Sequence, residues 1–420
     1  MGEQIPATSL KKGARSRRLR RGMTVLDLDL LALPQRLDEA DHFAGALVLL
    51  RLGGRPAGQA LLSFAEQPDD EPLLHRLMAA ADSAFWEAWL EHHLGMDPGP
   101  ADLPNLSSVD VVVCTRDRPD ELHKCLSDLM AMPQEGQHHI VVDNASRSDE
   151  TRRVVEAFDD ILYVREDRPG LDIARNTGIR AGNLPLIAFI DDDAAPDPLW
   201  LRKLCRNFAD PTIMAAGGLT MAMELATPAQ IEFERMGGFG RGLKRVIYDQ
   251  SNCDPFRAWI AGAGVNMALR RSIVDEIGWF DEALDAGTGS LAGGDADYFR
   301  RIIKAGWRIA YDPQALNWHR HRRTMPELQQ QLFGYEVSSF AILTKALFYE
   351  GDIRVIGAFA RWLRMRARQL RRPFRRSSSR LAFNPLTVQL KGALAGPVRY
   401  VTAARRVRRS SFTGGSSNGR

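Results

Sequence analysis

From Val109 onward the chain alternates short apolar runs with amphipathic stretches, and few folds accommodate that alternation. The runs Val109 to Cys114, His139 to Val142, Ile161 to Val164 and Leu186 to Ile190 predict strands. Between them, Pro119 to Met130, Asp149 to Phe158 and Leu171 to Ala181 predict helices, the first opened by its proline. Strands and helices alternating at this spacing imply a mostly parallel sheet with right-handed crossovers. Polar residues gather after the strands: Thr115, Arg116 and Asp117, then Asp143 and Asn144, then Asp191, Asp192 and Asp193. Open α/β sheets bind ligands at the carboxyl ends of their strands, so these clusters are expected to share one edge. Three adjacent carboxylates repel one another and resist desolvation, a conflict that a hard divalent cation holding a phosphorylated ligand would resolve. A solvated acidic turn before Pro196 and Pro198 is the plainer reading of the triplet alone.

The 420 residues suggest two or three domains, and 45% apolar with 26% charged residues is an ordinary globular composition. No apolar run approaches the ~18 residues that span a bilayer. The basic segment from Lys11 to Arg21 lacks the apolar stretch of a secretory leader, so none is expected. Cys114, Cys125, Cys205 and Cys253 show no metal-ligand or redox spacing, which predicts reduced thiols and a cytoplasmic setting. From Ile353 to Arg420 there are 17 Lys or Arg and no Asp or Glu, which leaves the body between the two basic ends acidic. Such a body does not suit nucleic acid, whereas the ends suit an anionic membrane surface.

The expected divisions are a disordered basic arm over 1–21, a small domain over 22–105, a catalytic domain over 106–330 and a basic helical region over 331–420 with a disordered end. In the small domain, Ala46 to Leu52, the Gly53-Gly54 turn and Gly58 to Phe64 predict a hairpin. Leu73 to Leu94 predicts one helix, and Met96 to Pro104 reads as a linker.

Taken together the motifs resemble the family 2 glycosyltransferases. The matching stretches are Thr115-Arg116-Asp117-Arg118-Pro119, Asp143-Asn144-Ala145-Ser146, Gly170 to Gly178 around Arg175 and Asn176, and Asp191-Asp192-Asp193. They continue through Gly262-Ala263-Gly264-Val265-Asn266, Gly278 to Glu282, and Gly293-Gly294-Asp295-Ala296-Asp297. The resemblance implies a GT-A fold and an inverting transfer of a sugar from a nucleotide-diphosphate donor, a UDP-sugar being expected, with Mg²⁺ or Mn²⁺. By position, Thr115, Arg116 and Arg118 would border the nucleoside, and Asp143 would accept a hydrogen bond from the base. Arg175, Asp191, Asp192, Gly264 and Asn266 would line the nucleotide sugar. Asp191 and Asp193 would hold the metal, with His319 as a further ligand. Asp295 falls where the family places its general base, with Asp297 as the alternative. Many relatives carry Glu-Asp where this chain has Gly294-Asp295.

The implied acceptor is a glycan or a lipid-linked glycan, as in envelope or exopolysaccharide assembly, and the Gln-x-x-Arg-Trp motif of processive synthases is absent. Two other readings stand beside this one: a nucleotidyltransferase with a similar metal site, and a catalytically silent scaffold. Arg320, Arg322 and Arg323 would pair with diphosphate oxygens or form a solvated face. The stretches Arg354 to Arg376 and Leu390 to Val407 interleave apolar and basic residues. They predict helices at the inner face of the plasma membrane, the alternative being that Arg354 to Leu370 packs its apolar side on the acidic body as a cationic cover.

Overall fold

The computed structural model describes residues 22–34, 37, 42–64, 72–96, 106–371 and 385–414. The basic arm over 1–21, most of the expected linker and the end of the chain lie outside these residues.

A three-stranded sheet comes first, built from β1 (Thr24–Asp29), β2 (Gly45–Leu52) and β3 (Arg55–Ser63). β2 and β3 form the expected hairpin, and β1, a strand the sequence reading left out, pairs parallel to β2. The Asp29 carboxylate accepts the N–H groups of Gly53 and Gly54, so the end of β1 fastens the hairpin turn. Where one helix is expected there are two, α1 (Leu73–Ala80) and α2 (Ser83–His93). Ala81 bridges to Ala60 of β3, and Asp82 caps α2 by accepting the Phe85 N–H at 3.0 Å. Strand pairing and a cap thus override a helical periodicity that runs through both segments.

The large sheet holds nine strands. Its parallel half is laid down by β4 (Val109–Thr115), α3 (Pro119–Ala131), β5 (His138–Asn144), α4 (Glu150–Val155), β6 (Ile161–Glu166), α5 (Leu171–Ala181) and β7 (Leu186–Asp191). β8 (Ala194–Pro196), α6 (Trp200–Cys205), β9 (Ile213–Ala222), α7 (Pro228–Arg235), β10 (Val246–Tyr248), β11 (Asn266–Arg270), α8 (Ile273–Ile277), α9 (Gly294–Lys304) and β12 (Arg308–His319) complete it. The order is β10-β12-β9-β11-β7-β4-β5-β6, with β8 beside β12. β4 to β7 run parallel, and β11 inserts antiparallel between β7 and β9. That insertion brings the start of β11 beside the carboxyl end of β7, and β12, parallel to β9, delivers His319 to the same edge.

The small sheet is no separate body. Leu49 shares a buried cluster with Leu219, Met221 and Leu316 of β9 and β12, and Arg51 meets Asp197 at 2.7 Å.

Three helices finish the described chain: α10 (Met325–Phe348), α11 (Val355–Arg371) and α12 (Pro385–Gly414). α12 lies along α10 at glycine contacts. A Cβ on Gly396 would stand 2.6 Å from the Val337 carbonyl oxygen, and one on Gly392 2.7 Å from the Glu336 Cβ. Tyr400 and Ala404 of α12 bury against Ala283 and Leu284, and the Tyr400 hydroxyl donates to Asp281 at 2.9 Å. α12 thus packs on the body, a cover that the sequence suggested only for the stretch from Arg354 to Leu370. α11 is anchored by Arg361 to Asp254 at 2.6 Å and by Trp362 and Arg366 to Glu336, while Ile353, Ile356 and Leu363 stay exposed. No helix among the described residues is long and apolar enough to cross a membrane. The four cysteines are free.

Candidate active site

β7 is apolar along its length and ends at Asp191, so the acidic triplet emerges where the parallel strands stop. The three carboxylates have different partners. Asp192 turns toward the loop after β4, where Thr115 Oγ donates to it at 2.7 Å and Arg118 Nη1 at 3.0 Å. Burial and the neighbouring acids still push Asp192 up to about 6, although Arg118 opposes them. Asp193 takes Arg118 Nη1 at 3.1 Å and stands 3.0 Å from His319 Nε2. Burial alone would raise Asp193, but His319 and Arg118 outweigh it and hold the carboxyl well below its usual range. Asp191 is raised by burial and by Asp193.

The ligand atoms of Asp191, Asp193 and His319 all lie within 4.8 Å of one another. Oxygen donors from two carboxylates with one imidazole suit a divalent cation, so these residues fit the metal that the sequence implies. The His319 ring packs edge-on to Phe239 at 5.1 Å, and its Nδ1 is buried without a partner.

Asp191 and His319 line a cavity of about 1610 Å³ that also takes in Arg118, Arg175, Gly264 and Asp295. Asp295 lies in the first turn of α9, two residues after Gly293, whose φ of 99° admits no ordinary side chain without strain. Its carboxylate accepts the Gly264 N–H at 2.6 Å and the Ala296 N–H at 2.7 Å. Burial and then Asp285 raise Asp295 above the ordinary aspartate value, against the pull of Arg175. That direction suits a proton acceptor.

Beneath Asp295 lies a group that sequence reasoning missed. Arg175 Nη1 joins Asp172 at 2.9 Å to Asp285 at 2.6 Å, and Asp285 in turn accepts the Gly294 N–H at 3.2 Å. The Arg175 guanidinium therefore serves the carboxylates under the base. Gly264 permits this approach: a Cβ there would lie 3.2 Å from Arg175 Cζ and 3.3 Å from Asp295 Oδ2. Asp285 holds a left-handed φ of 70°, and the Gly287 and Gly289 that follow were the one available cue to an irregular loop.

Two expectations need correction. Asn266 is fully buried and its side chain is used up by the protein. Its Oδ1 accepts Trp200 Nε1 at 2.8 Å, and its Nδ2 donates to the Leu219 and Ala315 carbonyls. It ties β11 to its neighbours and has no group left for a sugar. Asp297, the alternative base, is enclosed by Arg300 at 2.7 Å, Arg301 at 3.0 Å and Lys345 at 2.6 Å. Despite its burial these cations hold it far below the carboxylate range, which removes it as a base.

Of the remaining residues, Asp143, Arg116, Arg320 and Arg323 lie away from the cavity lining. Asp143 is buried, with Tyr163 at 2.7 Å and Arg165 at 2.8 Å on one oxygen and no partner on the other. Arg116 is exposed beside Asp117. Arg320 pairs with Glu121 and Arg323 with Glu224, whereas Arg322 lines the cavity.

Residues 110–278 match the family model described as Glycosyl transferase family 2. A pre-mycofactocin glycosyltransferase of Mycobacterium tuberculosis is 29% identical over 229 residues, 54% of this chain and 45% of that protein. The succinoglycan biosynthesis protein ExoM of Rhizobium meliloti is 28% identical over 214 residues, covering 49% of this chain and 65% of that one. The chain thus spans about half the length of the Mycobacterium relative. A looser likeness, at 18% identity and a TM-score of 0.45, is to a mannosyltransferase from Pyrobaculum calidifontis solved with GDP-Man and Mn²⁺, covering 73% of this chain and 93% of that one. Over residues 110–278, which carry the parallel sheet and its acidic edge, the chain is thus similar to the family 2 glycosyltransferases.

Proposed function

We propose that the chain transfers a sugar from a nucleotide-diphosphate donor to a hydroxyl of a glycan or lipid-linked acceptor, inverting the anomeric centre. The observation that carries this reading is that Asp295, a carboxylate raised in basicity, lines the same cavity as Asp191 and His319. Asp191, Asp193 and His319 would hold a divalent ion, which when bound would neutralise charge on the departing diphosphate as a Lewis acid. The imidazole favours Mn²⁺ over Mg²⁺ at such a site. Arg118 is placed to keep Asp192 and Asp193 ionised, and Arg322 to meet diphosphate oxygens. Asp295 Oδ accepts the proton that the acceptor hydroxyl loses as its oxygen attacks. The two backbone N–H groups hold that carboxylate in place, and the Asp172–Arg175–Asp285 group beneath it keeps the local field negative.

The donor side is assigned to Thr115, Arg116, Arg118 and Asp143 at the ends of β4 and β5. The free, buried oxygen of Asp143 supports a role as acceptor from the nucleobase. A place at the inner face of the membrane is supported by the exposed Ile353, Ile356 and Leu363 beside the arginines of α11.

Hydrolysis of a panel of nucleotide sugars, with and without Mn²⁺, tests the reading. Metal-dependent release of a nucleoside diphosphate from at least one sugar is expected. Release of pyrophosphate from a nucleoside triphosphate would favour the nucleotidyltransferase instead, and binding without turnover the silent scaffold.

A further inference from the structure

The cavity that holds Asp295 and His319 extends to α11, and its outer half carries cations that the protein does not neutralise. Four guanidiniums of the cavity wall have carboxylate partners: Arg118 with Asp192, Arg175 with Asp285, Arg300 with Asp297 and Arg361 with Asp254, while Arg322 lies on the wall beside the metal-binding side chains. Arg241, Arg257, Arg364 and Arg368 line the same cavity with no carboxylate within ion-pair distance among the described residues. Arg241 donates only to the backbone carbonyls of Gly238, Gly240 and Trp259. Burial lowers its pKa, the direction expected of a cation held without a counter-charge. Four like charges around one concave wall repel one another, and a guanidinium fork is shaped to meet the oxygens of a phosphate.

Apolar groups alternate with these cations. On α11 the cavity-lining residues Ala358, Arg361, Trp362, Met365 and Arg368 recur at helical spacing, so one stripe of the helix faces inward. Trp259 lies under Arg241 at 5.2 Å and is half-exposed, as is Met365. Water-exposed apolar area and unpaired guanidinium thus share one wall, leading from solvent to the proposed base.

We infer that this outer half is the acceptor subsite and that it takes an amphiphile carrying a phosphate ester on an apolar chain. Arg241, Arg364 and Arg368 meet the phosphate, and Trp259, Trp362 and Met365 cover the chain. The inference rests on the transferase reading and narrows its acceptor to an anionic lipid-like molecule.

Titration calorimetry on the full chain, without donor or metal, tests it with three probes below their micelle-forming concentrations: decyl phosphate, uncharged decyl maltoside and inorganic phosphate. Decyl phosphate is expected to bind at least about tenfold more tightly than either of the others, a difference of about 1.4 kcal/mol. The double variant R364E/R368E should lose about tenfold or more of that affinity, and R364K/R368K should retain most of it. Equal binding of decyl maltoside would overturn the anion half, and equal binding of inorganic phosphate the apolar half. Unchanged affinity in R364E/R368E would overturn the placement. Because the titration involves no turnover, a chain that binds decyl phosphate yet hydrolyses no nucleotide sugar would refute the transferase reading and leave this site standing.

Discussion

Asp295 and Asp297 stand two residues apart on one helix turn, and replacing each by asparagine should give opposite phenotypes. Asp297 is 1% exposed at its side chain and bonds Arg300, Arg301 and Lys345. Breaking a buried ion pair on one side costs about 3–5 kcal/mol, because the remaining charge stays buried. Each cation keeps a second partner here: Arg300 has Glu350, Lys345 has Asp281 at 2.8 Å, and Arg301 donates to the Ile277 and Trp279 carbonyls. The cost of Asp297→Asn is therefore placed near the lower end, about 3 kcal/mol. A melting temperature lower by roughly 5 °C or more follows. Asp295 is different, since burial and Asp285 already disfavour its charge. Asp295→Asn should leave the melting temperature unchanged or raise it, while transfer falls at least ~10²-fold. Thermal unfolding followed by circular dichroism, paired with a transfer assay on the folded fraction, reads both effects. An Asp297→Asn protein that melts normally but is inactive, beside an active Asp295→Asn, would refute the reasoning.

Asp193→Ala should abolish the gain that Mn²⁺ gives to nucleoside diphosphate binding, measured by calorimetry with and without the ion, while far-ultraviolet dichroism stays unchanged. Asn266→Ala would strand the Trp200 indole N–H and two strand carbonyls, costing about 3 kcal/mol or more at ~1–3 kcal/mol per unpaired buried group, as read by urea unfolding. Gly264→Ala should reduce transfer strongly, because its methyl would meet a guanidinium that Asp172 and Asp285 fix in place; a Gly264→Ala enzyme of normal kcat would contradict that account. Transfer should also depend on pH. Asp295 must be ionised to accept a proton and its pKa is raised, so the rate should climb with pH through a limb above that of an ordinary aspartate, and a limb at or below the ordinary aspartate value would contradict this.

The sequence alone determined the parallel half of the sheet and its acidic edge. Apolar runs of strand length between amphipathic helices are local signals, and each polar cluster directly follows its own strand, so Thr115, Asp143 and Asp191 could be placed without knowing what packs on what. His319 and Asp295 were legible only as motifs. Their meeting with Asp191 depends on β11 inserting antiparallel and β12 pairing with β9, contacts between residues far apart in the chain. Local pattern failed where a tertiary partner changed a residue's role. Asn266 reads as a polar loop residue until neighbouring strands use all its hydrogen bonds, and Asp297 reads as a second carboxylate until three cations enclose it. Asp285 carries no motif and gains its role only because α5 brings Arg175 beneath α9. The basic tail shows the same division. Its charge and periodicity are written in the sequence, but whether a helix faces the body or solvent depends on what it meets: α12 finds α10 at its glycines, and α11 finds the rim of the cavity.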